Sequence, residues 1–236
     1  MISVLVPAGS LAAGGVLDLE PGEAQHLRVR RAGTGDRIRV LDGAGVVGEG
    51  VLEMGKGTAR VEIASLATVP QPPALILAVA AGDRERFGWM VEKSAELGVT
   101  RIIPLETQRS VNVAGRIRAS HVERLAIRAR EAIKQSGAPW APLVDQPVPL
   151  DEFVAGLSEG DRWLADPAGG GWRMSGPAVP LTIAVGPEGG FTDGERERLT
   201  GSGFLPVSLS PYVLRFETAA FAAAVLAAQG RKEQPG

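Results

Sequence analysis

The pattern of hydrophobic and polar positions changes about one third of the way along the chain. Up to about residue 68, short runs alternate or are rich in β-branched residues, as in Arg37–Leu41 (RIRVL) and Ala59–Ala64 (ARVEIA). Glycine-rich turns such as Asp42–Gly45 separate these runs. We therefore expect the first 68 residues to be all-β and to form a small barrel.

A proline-rich segment, Val69–Pro73 (VPQPP), then interrupts the pattern. Proline fixes its own φ and restricts the residue before it, so the segment predicts a stiff linker. We place a domain boundary here, with one domain over residues 1–70 and a second over residues 71–236.

Beyond the prolines, buried strands are predicted to alternate with helices. Ala74–Ala81 (ALILAVAA) is continuously apolar, as in a strand buried on both faces. Residues 85–98 read as a helix that Gly98 ends. This alternation predicts an α/β fold, with a mostly parallel sheet and helices on both faces. Further strands are predicted at residues 101–105, 163–165, 181–185 and 204–209, and a last helix at 217–229.

Capping and turn signals refine these elements. Ser120 with Glu123 forms a capping-box signature for a helix that runs to about Ser136, and Thr192 with Glu195 forms another. The run of residues 169–171 (GGG) predicts a mobile loop.

The composition excludes several kinds of chemistry. The chain has no cysteine, which rules out disulfides, thiolate catalysis and cysteine-bound metal, and its only histidines are His26 and His121. The N-terminus lacks the basic region of a secretion signal, and no apolar run approaches the ~20 residues that span a bilayer. We expect a soluble cytoplasmic protein with no metal and no membrane segment.

Positive charge is concentrated locally. The formal net charge is −2, which argues against a purely nucleic-acid-binding domain. Residues 28–39 nevertheless contain five arginines and a single acid, Asp36. The residues alone favour equally a solvated strand edge and a surface that contacts phosphates. The arginines of this basic patch are Arg28, Arg30, Arg31, Arg37 and Arg39.

The segment Gly186–Gly190 (GPEGG) lies between a buried strand and a capped helix, where open α/β sheets bind ligands. Its glycines permit close approach to the backbone, and the helix N-terminus adds amide donors. A plain tight turn is the alternative, but Pro187 and Glu188 favour a ligand site. The P-loop and Rossmann glycine patterns do not fit.

Two further segments stand out, Leu209–Ala220 (LSPYVLRFETAA) and Glu92–Val99 (EKSAELGV). Arg215 and Glu217 could merely cap a helix and form an exposed ion pair, which contributes little to stability. The second segment could be an ordinary amphipathic surface helix.

Together, GPEGGFTDGE, LSPxVLRxETAA, KSAELGV, TQRSV (residues 107–111) and QHLRVRR (residues 25–31) resemble the RsmE family of 16S ribosomal RNA (uracil-N3) methyltransferases. The resemblance runs in order from about residue 22 to 228. It implies a SPOUT-type (α/β-knot) domain, which is a parallel sheet with a trefoil knot, after an N-terminal PUA-like β-barrel that holds RNA. It also implies S-adenosyl-L-methionine as methyl donor, a homodimer, and 16S ribosomal RNA or the small ribosomal subunit as partner.

The resemblance assigns roles to particular residues. Arg215 and Glu217 are the implied catalytic residues. RNA contacts fall on His26, Arg28, Arg30, Arg31 and Arg109. The donor pocket is implied to consist of Leu164, Ala165, Asp166, Gly186, Pro187, Glu188, Gly189, Gly190, Leu209, Ser210, Val213 and Leu214.

The chemistry of the implied reaction agrees with these roles. Methyl transfer from a sulfonium requires mainly that donor and acceptor be held in line. Uracil N3 must lose a proton, so a base, or a cation near O2 or O4, is required. We expect Arg215 to be that cation, and Glu217 to orient it or to accept the proton. N3 lies on the pairing edge, so the uridine must be unpaired or extruded.

Several positions depart from the family pattern, and three other functions remain open. The alternatives are a SPOUT reaction on another base or a ribose 2′-hydroxyl, a catalytically silent RNA-binding assembly factor, and a small-molecule enzyme. The departures, which bear on RNA contacts more than on donor binding, are Lys134, Ala138, Pro139, Ser210, Tyr212 and Phe216.

Overall fold

The computed structural model describes residues 1–80, 82–110 and 119–232, which form two compact units. The first unit comprises Met1–Gln71 together with Arg130–Ala141. The remaining described residues form the second unit. The division after Gln71 falls within the proline-rich segment, and residues 130–141 are the part of the first unit that comes from beyond it.

The first unit is built on a five-stranded sheet with the order β1-β3-β4-β5-β2. β1 pairs with β3 in parallel, and the other pairs are antiparallel. Its core consists of inward-facing apolar side chains such as Val4, Ile38 and Val61. The elements are β1 (Ile2–Leu5), β2 (Val16–Asp18), α1 (Pro21–Val29), β3 (Arg37–Leu41), β4 (Val46–Met54) and β5 (Ala59–Thr68).

Helix α1 shows that the prediction of an all-β first segment was wrong. Pro21 occupies the first turn, where its missing N–H costs nothing, and Ala24 and Leu27 bury one narrow face in the core. A nine-residue helix with so few apolar positions is stabilised mainly by tertiary packing, so its sequence signal is weak. The basic patch is consequently not a single strand edge: Arg28 lies on α1, whereas Arg37 and Arg39 lie on β3.

The second unit confirms the predicted parallel α/β fold. Its sheet has seven strands in the order β12-β10-β11-β6-β7-β8, with β9 also paired to β7, and all these pairs are parallel. Every residue of β11 is buried. The elements are β6 (Leu75–Ala80), α2 (Arg84–Glu96), β7 (Arg101–Glu106), α3 (Ala119–Ser136, of which residues 130–136 belong to the first unit), β8 (Leu143–Val144), β9 (Val148–Pro149), α4 (Leu150–Ala155), β10 (Asp161–Gly170), β11 (Leu181–Val185), α5 (Asp193–Gly201), β12 (Leu205–Val207) and α6 (Phe216–Lys232).

Helix boundaries agree with the sequence signals in two of three cases. Gly98 follows the end of α2 with φ of +77°, as expected of a glycine that ends a helix. Thr192 and Glu195 form the predicted capping box at α5. Ser120 lies within the described part of α3 (Ala119–Ser136), so the capping box predicted there is wrong.

The glycine run is partly strand and not a loop. Gly169 and Gly170 belong to β10, and Gly170 pairs with Val207 of β12. A Cβ at Gly169 would lie 2.5 Å from the carbonyl carbon of Pro206, so only glycine lets the two strands approach this closely. Ala81 and Val111, which the sequence placed in a strand and in a motif, lie outside the described residues.

Across the described ranges, no helix is both long enough and apolar enough to cross a membrane.

Candidate functional site

A cavity of about 280 Å³ opens in the second unit, beside the middle of β10 and the end of β11. Three segments supply most of its lining: residues 164–167 of β10, the loop 186–190 after β11, and the loop 209–214 before α6. The structure therefore brings together every residue that the sequence assigned to the donor pocket. These are Leu164, Ala165, Asp166, Gly186, Pro187, Glu188, Gly189, Gly190, Leu209, Ser210, Val213 and Leu214.

The loop 186–190 is shaped by its glycines. Gly190 has φ of +69°, which favours glycine, and its N–H donates to the Pro187 carbonyl at 2.8 Å. A Cβ at Gly186 would lie 3.1 to 3.3 Å from Phe191 and Gly190. The three glycines therefore leave much of the loop backbone uncovered along this wall of the cavity.

Glu195 stabilises the start of α5, the helix that follows the loop 186–190. Its Oε2 accepts from the Thr192 N–H at 2.8 Å, and its Oε1 accepts from the Gln108 N–H at 2.8 Å. The same buried carboxylate thus caps α5 and holds the turn that follows β7. Within that turn, the Thr107 N–H donates to Ser110 Oγ at 3.0 Å. Sequence reasoning found the capping box but missed the tie to Gln108.

Arg109, a predicted RNA contact, lies against the glycine loop. Its guanidinium donates to the Gly189 carbonyl, and its Cδ would lie 3.2 Å from a Cβ at Gly189. The side chain of Glu188, in turn, lies over Gly82, where a Cβ would collide with the carboxylate. Both charged side chains therefore contact the loop or the backbone next to it.

Asp166 is the buried acid of the cavity wall, only 4% exposed. Its Oδ1 accepts from the Ala168 N–H at 2.9 Å, and its Oδ2 pairs with Arg196 Nη2 at 2.6 Å. Arg196 also lines the cavity, and the sequence reasoning missed it. Its position on α5, one residue after the capping Glu195, carries no chemical signal by itself.

The loop 209–214 forms the open side of the cavity. Ser210 Oγ accepts from the Tyr212 N–H at 3.1 Å, and the Ser208 hydroxyl donates to the Ser210 carbonyl at 3.2 Å. Tyr212 and Val213 line the cavity although they are 78% and 83% exposed. A ligand in the cavity would therefore be accessible to a large partner from this side.

The predicted catalytic pair is separated. The Arg215 side chain is exposed, whereas Glu217 is only 6% exposed, and neither side chain lines the cavity. Glu217 Oε1 lies 3.7 Å from Arg86 Nη1 on α2, and among the described residues its Oε2 has no hydrogen-bond donor. The ring of Phe216, between the two, stacks on Phe87 with centroids 6.5 Å apart. Glu217 thus contacts α2 and not Arg215.

In the first unit, His26 and Arg30 line a groove together with Lys134 and Gln135. Lys134 Nζ lies 2.9 Å from Glu23 Oε1 and also contacts Glu131. Burial alone would lower the pKa of Lys134, but the two carboxylates outweigh it and raise the pKa. The lysine that departs from the family pattern is therefore a charged, ion-paired wall of the groove.

The other predicted RNA contacts vary in exposure. Arg28 is half-buried on α1, and among the described residues its Nη2 has no acceptor. Arg30 and Arg31 are exposed, and Arg31 adopts a left-handed backbone with φ of +58°.

Comparisons with known proteins identify the family of the chain. Residues 69–228 match the RNA methyltransferase domain family, and residues 19–64 match the RNA methyltransferase PUA domain. The chain is 32% identical over 204 residues to ribosomal RNA small subunit methyltransferase E of Synechocystis sp., covering 81% of this chain and 65% of the relative. It is 30% identical to the protein of that name from Aquifex aeolicus, covering 87% of this chain and 91% of the relative. The structure of ribosomal RNA small subunit methyltransferase E from Neisseria gonorrhoeae bound to S-adenosyl methionine superposes with a TM-score of 0.83 at 28% identity, covering 96% of each chain.

Proposed function

We propose that the chain transfers a methyl group from S-adenosylmethionine to N3 of a uridine in 16S ribosomal RNA. The premise is that the chain belongs to the RNA methyltransferase family that includes ribosomal RNA small subunit methyltransferase E. The observation that carries this proposal is the convergence of three distant segments on one cavity at the strand ends. Their residues are those that the family resemblance assigns to the donor.

The lining of the cavity suits S-adenosylmethionine in its chemistry. Its volume of about 280 Å³ lies just below the roughly 300–1,000 Å³ of small-molecule sites. Apolar side chains such as Leu164 and Leu214 suit a flat base. Glu188 supplies negative charge for a donor that carries positive charge, whereas the charge of Asp166 is compensated by Arg196. When bound, S-adenosylmethionine supplies a methyl group on a sulfonium, which is an activated leaving group.

Arg215 is assigned the electrostatic role in catalysis. Uracil N3 becomes nucleophilic as its proton leaves, and negative charge then spreads to O2 and O4. Arg215 follows the cavity-lining Leu214, and its side chain is exposed on a segment that borders the open side. A guanidinium there can reach a base presented by RNA and stabilise the developing anion.

Glu217 is assigned a positioning role. The sequence left it either to orient Arg215 or to accept the N3 proton, but a carboxylate that is only 6% exposed is poorly placed to meet a base. Its pairing with Arg86 instead anchors the first turn of α6 to α2. That anchor fixes the end of the loop that carries Leu214 and Arg215.

The two parts of the chain are assigned different tasks. We assign residues 1–70 to a PUA-like domain that holds RNA and residues 71–236 to the methyltransferase domain. The basic patch and the groove beside His26 and Arg30 support RNA binding by the first unit. The proposal also includes RNA contacts by Arg28, Arg31 and Arg109. It further includes assembly as a homodimer and action in the cytoplasm on the small ribosomal subunit.

The test is methylation of small-subunit RNA that lacks the modification. Purified protein is incubated with S-adenosylmethionine and either 16S RNA or the small subunit, and the digested nucleosides are analysed by mass spectrometry. We expect N3-methyluridine at a single position. Arg215→Ala is expected to lower turnover about 10²- to 10³-fold with unchanged donor affinity, whereas Arg173→Ala, at another exposed arginine, leaves turnover unchanged.

Other products would identify the alternatives. A ribose 2′-O-methyl group or another methylated base would replace the proposed reaction with a related one. RNA binding without S-adenosylmethionine binding, in the presence and absence of RNA, would indicate an assembly factor. Equal turnover in Arg215→Ala and wild type would remove Arg215 from the mechanism.

A further inference from the structure

A depression of about 290 Å³ lies between α2 and α3 in the second unit, apart from the donor cavity. Its lining carries three arginines and a histidine but one acid, Glu85. The chain as a whole has a net charge of −2, so this concentration of positive charge is local. The basic residues of this cationic depression are Arg84, His121, Arg124 and Arg128.

One of these arginines, Arg128, is held in place against α2. A Cβ at Gly88 would lie 2.8 Å from Arg128 Nη1, so the guanidinium packs directly on the backbone of α2. Glycine inside a helix is unfavourable relative to alanine, and here it makes room for that side chain. Arg128 Nη2 also pairs with Glu92 Oε2 at 2.8 Å, which compensates its charge.

His121 presents an unused hydrogen-bond donor. Its Nδ1 lies 3.2 Å from Arg84 Nη2, and arginine can only donate, so Nδ1 accepts and Nε2 carries the proton of the neutral ring. Among the residues that the structure describes, no partner meets the buried Nε2. Burial, together with the charges of Arg84 and Arg124, lowers the pKa of His121, which favours this neutral form.

The other two arginines have no acidic partner among the described residues. The side chains of Arg84 and Arg124 are exposed, and neither forms an ion pair within the described ranges. The Arg124 Nε donates only to the carbonyl of Ser120 on its own helix, at 3.3 Å. Two uncompensated guanidinium groups therefore line the depression, and the N–H of His121 is buried beside them without an acceptor among the described residues.

We propose that the cationic depression binds a phosphate group of the substrate RNA backbone, an inference that rests on the proposed function. The ligand must be an acceptor without donors, must carry negative charge, and must offer several oxygens to planar guanidinium groups. A phosphodiester meets all three requirements, and arginine is well suited to it. The second unit would then contact the RNA backbone at a place apart from the cavity at the strand ends.

The experiment compares RNA binding by the full-length wild type, Arg84→Ala/Arg124→Ala, and the matched control Arg101→Ala/Arg198→Ala. The control removes two exposed arginines of the same unit, which pair with Asp145 and Asp151, so the net charge changes equally. Binding of a fluorescent 16S RNA transcript is measured by anisotropy at several salt concentrations. Donor affinity by calorimetry and oligomeric state by light scattering are measured on all three proteins.

We expect the test variant to bind RNA about tenfold more weakly than the control, with a salt dependence smaller by about one released counterion. Donor affinity and oligomeric state should be the same in all three proteins. RNA affinity and salt slope equal to those of the control would overturn the inference.

Three further outcomes would also overturn it. One is the absence of RNA binding by the wild type. Another is a change of oligomeric state in the test variant alone, which would assign the depression to contact with a second copy of the chain. The last is saturable binding of inorganic phosphate by the wild type that the test variant loses, although the test variant binds RNA as well as the control does. That result would assign the depression to free phosphate. Failure of the proposed function has a separate signature, namely wild-type protein that binds RNA and does not methylate it.

Discussion

The donor cavity and the cationic depression belong to the same unit but are built in opposite ways. The cavity is formed by loops at strand ends, where the backbone of Gly186–Gly190 provides one wall. The depression is formed by long side chains from two helices, of which Arg84 and Arg124 are exposed. A backbone wall depends on shape and tolerates no added volume, whereas a cluster of side chains depends on charge.

Substitutions in the two regions should therefore weaken ligand binding in different ways. A substitution that adds volume to the cavity should abolish binding in one step, because a bulky side chain would occupy the space that the ligand needs. A substitution in the depression should weaken binding in small steps, because each charge acts separately and is screened by salt. The following experiments test this contrast.

The largest effect is expected when a glycine of the loop gains a side chain. Gly189→Trp should lower the affinity for S-adenosylmethionine about 1,000-fold or more, which is about 4 kcal/mol, because Gly189 lines the cavity and already contacts Arg109. Calorimetric titration measures the affinity. Gly201→Trp, at the end of α5 where a Cβ meets no atom within 4 Å, is the control and should bind normally. Wild-type affinity in both variants would refute a backbone-walled donor site.

The next effect concerns the carboxylate behind the loop. Glu195→Ala should lower the free energy of unfolding by about 2–3 kcal/mol, because the N–H groups of Gln108 and Thr192 lose their acceptor. Urea denaturation monitored by circular dichroism measures the change. Glu197→Ala, at an exposed position of the same helix, should change the stability by less than about 0.5 kcal/mol. Equal stability of the two variants would show that the tie to Gln108 contributes little.

A smaller effect is expected on the wall of the depression. Gly88→Ala should raise the free energy of unfolding by about 0.5–1 kcal/mol through helix propensity, yet weaken RNA binding about threefold because the new Cβ displaces Arg128. Urea denaturation and fluorescence anisotropy measure the two quantities. Gly194→Ala, on α5 with open space around its Cβ, gains helix propensity without touching an arginine. Unchanged RNA affinity in Gly88→Ala would mean that the position of Arg128 is unimportant.

The smallest effect is a dependence on pH. The pKa of His121 is lowered in the free protein by burial, Arg84 and Arg124, and a bound phosphate would raise it. The groups that face the ring are Arg84 and Glu85 on α2, and Arg124 and Arg128 on α3. Proton uptake on binding means that RNA affinity should rise about two- to threefold as the pH falls from about 8 to about 6.

Substitution of each histidine separates the source of this pH dependence. His121→Asn should bind RNA with an affinity that depends less on pH than that of the wild type. His26→Asn should retain the pH dependence of RNA affinity that arises in the cationic depression. Anisotropy titrations at constant ionic strength measure both. The same pH dependence in His121→Asn and wild type would exclude His121 as the proton acceptor.

Much of the fold and of the donor cavity could be predicted from the sequence because the relevant signals are local. Continuous apolar runs such as Leu181–Val185 become buried parallel strands, and the capping box at Thr192 starts α5 as predicted. In a parallel sheet, segments that follow strands collect at one edge, so a motif after a strand locates a site. The two contiguous motifs therefore located residues 186–190 and 209–214 of the cavity lining, whereas Leu164, Ala165 and Asp166 came from the family resemblance and Arg196 was missed.

Predictions failed where the decisive contacts join distant residues. Helix α1 is stabilised by packing on the core of the first unit, and Gly169 extends a strand because Pro206 lies against it. The separation of Arg215 from Glu217 likewise follows from the pairing of Glu217 with Arg86 on α2.

By itself the sequence determined the alternation of strands and helices after residue 71, the parallel sheet and the glycine-rich loop 186–190, because hydrophobic periodicity and turn chemistry act over a few neighbouring residues. Only the tertiary structure decided which charges meet. The cationic depression joins Arg84 to Arg124 across two helices, with no motif that links them in the chain. Its chemistry depends on side-chain positions that packing alone establishes.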